Sequence, residues 1–281
     1  MNRLSLILVV FLFGPRLLAQ DYTVYFTRQS NRVDNLYSLV PGQTPIPITQ
    51  HPAKDSSPAV SPDGKTIAFT SERVGWWKIW CLDLTSDSVR QLTHSSQAEY
   101  APCWSPDGQN LAFVSERDGN AEIYVMTAEG QNQRNLTRNP RNDTAPHWAS
   151  DGWIYYSAQI DGIFQICKHH PGDGQHSQIT QGPGDKLMPR LSPNHQTLLY
   201  YGDADGNPEI YTLELMTQNI RRLTDNPLQD IRAQWSPDGK KIVFERGNKK
   251  NNQHLFWMNA DGSRIEQLTF EGYNYAPTFG P

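Results

Sequence analysis

One four-residue turn returns along this chain at a nearly constant interval. Ser61-Pro62-Asp63-Gly64 recurs as Ser105-Pro106-Asp107-Gly108, Ala149-Ser150-Asp151-Gly152, Ser192-Pro193-Asn194-His195 and Ser236-Pro237-Asp238-Gly239, and breaks off at Gly280-Pro281. The steps between copies are 44, 44, 43, 44 and 44 residues. A period of about 40–45 residues carrying four short strands is the mark of a β-propeller blade. Within the turn, Pro presets φ at the second position and Gly at the fourth accepts the left-handed conformation that closes a bulged hairpin. His195 takes the Gly place in one copy, a mild departure because His tolerates positive φ better than most side chains.

Between turns the pattern predicts strands over 101–105, 111–115, 122–126 and 134–137 of the central copy, with equivalents throughout. The second strand carries Phe26, Phe69, Phe113, Tyr156, Tyr200 and Phe244, and the fourth ends in aliphatic-Thr pairs such as Leu92-Thr93 and Leu136-Thr137. Sheets apolar on both faces must each stack between two neighbours, which a ring provides. The expected fold is all-β, a six-bladed β-propeller of four-stranded antiparallel blades. Its first blade opens at strand two, near Thr23, and lacks a first strand. Tyr275-Ala276-Pro277-Thr278-Phe279 has the missing pattern, so the C-terminal strand is expected to complete that blade and close the ring.

The 281 residues include 25 basic and 29 acidic side chains, a net charge of −4. That balance offers no basic footprint for nucleic acid. Residues 1–20 read as a secretory signal peptide: Arg3, an apolar run from Leu4 to Phe13 with Ser5 within it, and Ala19 before the cleavage point. The run is too short for a transmembrane span. The expected organisation is a signal peptide over 1–20 and a propeller over 21–281, in a monomer that is periplasmic or secreted. Cys81, Cys103 and Cys167 are too few for a disulfide framework and read as small core residues, a Cys81–Cys103 bridge being the alternative.

The run Leu-Thr, a loop, Pro-x-Trp-Ser-Pro-Asp-Gly, then an aliphatic-Ala-Phe strand and Ile-Tyr resembles the repeat of the TolB-like propeller family. The resemblance extends over the whole of the chain after residue 20. It implies a non-enzymatic scaffold of the cell envelope and an envelope protein as partner, such as a Pal-like outer-membrane lipoprotein. Family members carry an α/β domain ahead of the propeller, whereas here the first blade follows the signal segment directly. That puts coupling to an inner-membrane partner in doubt.

Two sets of residues are candidates for function. Asp55, Glu99, Asp143 and Asp230 stand three residues before the inner-strand proline or its equivalent, with Asp185 one place further back. They read either as acceptors for their own loop backbone or, together, as oxygen ligands for a Ca²⁺ ion in the channel, which takes about 6–8 oxygens. The first reading needs no cofactor and is preferred. The loops between strands two and three carry Arg28, Arg73, Trp76, Trp77, Arg117 and Arg246, and exposed Trp and Arg are typical partner anchors. Motifs for a serine nucleophile, a zinc helix or a phosphate loop are absent from the sequence. His51, His94 and His147 fall on successive connections and leave a metal-dependent polysaccharide lyase as the alternative, beside a small-ligand or metal-binding sensor.

Overall fold

Six four-stranded antiparallel sheets form the molecule in this computed structural model, which describes residues 22–248 and 252–281. The predicted signal segment, 1–20, lies outside the described residues. In the third blade the strands run Glu99–Trp104, Asn110–Ser115, Glu122–Thr127 and Arg134–Asn135, from the channel outward. The inner strands of the six blades touch their neighbours in an unbroken cycle, so the sheets form a closed propeller.

The inner strand begins earlier than the predicted 101–105, and the cause is a bulge. Tyr100 pairs with Val114 and Cys103 with Ala112, so Ala101 and Pro102 together oppose Phe113. Pro102 has no N–H for the ladder, and an extra residue at this point spares one. The same residue of each blade takes a positive φ: Ser57 (53°), Ala101 (52°), Ala145 (54°), Met188 (56°), Arg232 (53°) and Ala276 (50°). In four blades its N–H, turned out of its own sheet, is caught by the second strand of the preceding blade. Ser57 N donates to Thr27 Oγ1 (3.1 Å), Ala101 N to Thr70 Oγ1 (3.2 Å), Met188 N to Ser157 Oγ (3.0 Å) and Ala276 N to Glu245 Oε1 (2.5 Å).

Apolar packing lies between blades rather than within them. Six separate clusters of buried residues occupy the six blade boundaries. At the last boundary Val243 and Leu255 pack with Val24, Phe26, Leu39 and Phe279. Phe279 belongs to the C-terminal strand Tyr273–Phe279, which pairs antiparallel with Val24–Ser30. The chain end therefore completes the first blade, as its sequence pattern requires. Cys81, Cys103 and Cys167 are all free thiols. Among the described residues no helix is long and apolar enough to cross a membrane.

Candidate functional site

Each first-to-second-strand hairpin runs from one face of the disc to the other and back, so the start of the inner strand lies beside the end of the second. Residues 16 or 18 apart across the hairpin thus meet, and the two candidate sets fall on each other. Arg73 clamps fully buried Asp55 through Nε (3.2 Å) and Nη2 (2.6 Å). Arg246 clamps Asp230 in the same way at 2.8 and 2.7 Å. Arg117 reaches Glu99, Ser115 and Gln133, with Lys78 at 3.5 Å from the other Glu99 oxygen. Arg28 donates to Asn274, which replaces the carboxylate in the first blade (2.8 Å). Each of these guanidiniums also lies over the aromatic pair of the second and third strands, Arg117 over Phe113 and Tyr124, and Arg246 over Phe244 and Phe256. The arginines are held into the blades, and the carboxylate oxygens already carry charge-assisted bonds.

Two blades depart from this arrangement. In the fifth, Lys186 occupies the carboxylate place and its Nζ donates to the carbonyls of Gly182, Pro183 and Gly184. Asp185 stands one residue earlier and accepts from Phe164 N at 2.8 Å. In the fourth blade Asp143 is fully buried without an arginine. Its Oδ2 accepts from Asn139 (2.6 Å), while Oδ1 has no hydrogen-bond partner among the described residues. Burial pushes its carboxyl up to about 6 against the pull of Asn139 and Thr137, and nearby Glu122 raises it further. The Thr137 hydroxyl is shared with Glu122, to which it donates at 3.5 Å. No group of three or more His, Cys, Asp or Glu with the geometry to hold a metal ion occurs among the described residues.

The tryptophan pair divides its duties. Trp76 is 61% exposed at the tip of its turn, whereas Trp77 is partly buried with the Lys54 ammonium 5.9 Å from its ring centroid. On the same face, a cleft of about 570 Å³ opens between the third and fourth blades. Tyr100, Glu116, Arg117, Asn120, Asn142 and Phe164 contribute to its wall. The face thus combines one exposed indole with a polar cleft, the mixture found in protein interfaces.

The opposite mouth has a different character. Ala59, Cys103, His147, Arg190, Gln234 and Thr278, one from each inner strand, face the channel above the repeated turns. Burial drives the His147 imidazole down to about 3, with Arg190 adding to the effect, so this histidine is neutral. His51 instead braces its own loop, accepting from Ala53 N at 3.0 Å, and His94 is exposed. The three histidines do not converge.

A family model described as the TolB beta propeller domain matches residues 78–202 and 173–281. The chain belongs to the TolB β-propeller family. The Tol-Pal system protein TolB of Helicobacter hepaticus is 26% identical over 121 residues, which is 43% of this chain and 28% of that protein. The chain therefore spans less than a third of that TolB's length. Among solved structures, TolB from Acinetobacter baumannii superposes with a TM-score of 0.80 at 21% identity, covering 92% of this chain and 67% of that one. A putative TolB from Agrobacterium tumefaciens gives 0.74 at 22% identity, covering 93% and 99%. At these identities the superpositions speak for the fold of a TolB-type propeller.

Sequence patterning finds the blade, the turns and the closing strand of this TolB-type propeller. It misses the arginine clamps and the channel ring of six. The clamps had a signal in the constant 16- or 18-residue spacing of carboxylate and arginine. The ring had one in the residue after each inner-strand proline or its equivalent, Ala233 in the sixth blade.

Proposed function

We propose that this protein is a non-enzymatic docking scaffold of the bacterial cell envelope, working in the periplasm as a monomer. The face built by the starts of the inner strands and the turns between second and third strands receives a protein partner. The observation that carries this is Trp76, an indole held 61% exposed on the same face of the ring as a polar cleft. Tryptophan is among the residues enriched at interface hot spots. Membership of the TolB propeller family and likeness to a Tol-Pal system TolB support a Pal-like outer-membrane lipoprotein as that partner.

The arginines Arg73, Arg117 and Arg246 contribute to this face by fixing its shape. Each holds the base of its loop to a buried carboxylate, so partner-facing residues sit on a preorganised surface. Contact with the partner falls to Trp76 and to the cleft side chains Glu116, Asn120 and Phe164. The test is an affinity capture from envelope extract with the parent and with Trp76→Ala. Recovery of a lipidated outer-membrane protein by the parent, reduced at least tenfold by the substitution, is expected. Equal recovery by both forms would remove this face from the interface.

A further inference from the structure

The channel mouth opposite the docking face forms an open pocket of about 390 Å³, at the small-molecule end of ligand sites. Its walls come from all six inner strands and the turns that follow them, so the shape is set by the closed ring. Trp104, Trp148 and Trp235 stand around it. Two of these indoles are fixed by donating Nε1 to the inner strand of the preceding blade, Trp104 to Ala59 O (2.9 Å) and Trp235 to Arg190 O (3.1 Å).

One cation lines this mouth. Arg190 donates through Nε to Gln234 Oε1 (2.8 Å) and through Nη1 to the Pro189 carbonyl (2.7 Å), both neutral acceptors. Arg73, Arg117, Arg222, Arg232 and Arg246 each meet a carboxylate, and Arg190 has no such ion pair among the described residues. Its titratable channel neighbours are the neutral imidazole of His147 and the thiol of Cys103, which burial pushes up to about 11. A guanidinium has five N–H donors in a planar fork suited to a carboxylate, and those not given to Gln234 and Pro189 remain for one. Desolvation without a counter-charge also shows in its pKa, lowered to about 10.

We propose that this mouth binds a small organic acid, its carboxylate on Arg190 beside Gln234 and its apolar body among Trp104, Trp148 and Trp235. The site is independent of the docking face, since it lies at the other end of the channel. An anion entering here supplies the counter-charge the fold omits, beside a guanidinium that its surroundings partly desolvate. The three indoles provide apolar area sized to a single ring or short chain.

The test is isothermal titration of the full mature protein with benzoate, phenylacetate and 1-naphthoate, each beside its neutral carboxamide, and with inorganic phosphate. At least one aromatic carboxylate is expected to bind tenfold or more tightly than its carboxamide and than phosphate. Arg190→Gln should abolish that preference and Arg190→Lys should retain part of it. Because Arg190 also braces the inner strand, Cys103→Asp provides a second variant. It places a carboxylate beside the guanidinium, and is expected to block binding while leaving the circular dichroism spectrum unchanged. The proposal fails if no carboxylate outbinds its amide, if phosphate binds as well as the aromatic acids, or if Cys103→Asp binds them like the parent. Loss of partner capture by Trp76→Ala bears on the other face and leaves these outcomes separate.

Discussion

Replacing Asp143 with Asn should stabilise the protein, and by an amount that depends on pH. The native carboxyl titrates near 6 against an ordinary value of 3.8, chiefly because it is buried, and Oδ1 lacks a donor. A raised native value means that this group contributes most to stability below about pH 4. The contribution is lost as pH rises through 6, because ionisation is then easier in the unfolded chain. At about 1.4 kcal/mol per pH unit of displacement, the charged form costs the native state about 3 kcal/mol at pH 8. Asn is nearly isosteric, keeps an oxygen for Asn139 and carries no charge. Urea unfolding of parent and Asp143→Asn at pH 4.5, 6 and 8 isolates the effect, since the other carboxylates titrate alike in both. The stability difference should grow from about 1 kcal/mol at pH 4.5 to about 3 kcal/mol in favour of Asn at pH 8. A difference that stays flat over this range, or a variant less stable at pH 8, would refute the assignment of a buried, uncompensated charge.

Three further outcomes follow from the packing. Arg117→Ala leaves buried Glu99 with Lys78 alone and should cost about 3 kcal/mol or more in urea unfolding, as breaking a buried pair does. Ser157→Ala removes the acceptor for Met188 N at the blade boundary and should cost about 1–3 kcal/mol, whereas Ser86→Ala on an exposed turn should cost nothing measurable. Removing 273–281 takes away the inner strand of the first blade and Phe279 from the last boundary, so the melting temperature should fall far more than a terminal trim produces. An unchanged melting temperature would contradict ring closure by this strand.

The fold was legible because a propeller states itself as a period. Ser-Pro-Asp-Gly at a spacing near 44 residues marks the hairpin, and aromatic residues at matching offsets such as Phe69, Phe113 and Phe244 mark the strand buried between blades. The bulge in the inner strand was not legible. It falls equally on Ala101, Met188 and Ala276, residues with no preference for positive φ, and each of their N–H groups meets an acceptor waiting on the neighbouring blade. Asp55 and Arg73 were each visible as polar residues near a loop, but polarity alone does not say whether a charge faces water or a counter-ion. Only the hairpin register, which brings Asp55 opposite Ser71, puts Arg73 within reach. Likewise Arg190 reads as one more charged residue until the ring places it beside Cys103, His147 and Gln234 in the channel.

The central claim is that a protein partner binds the face bearing Trp76. Its most direct measurement is site-specific photocrosslinking in envelope extract, with the photoreactive residue placed at position 76 or at exposed position 63 in the turn at the opposite mouth. Adduct formation with an outer-membrane lipoprotein from position 76, and none from position 63, is the predicted result. Adducts from 63 alone, or equal adducts from both positions, would contradict it.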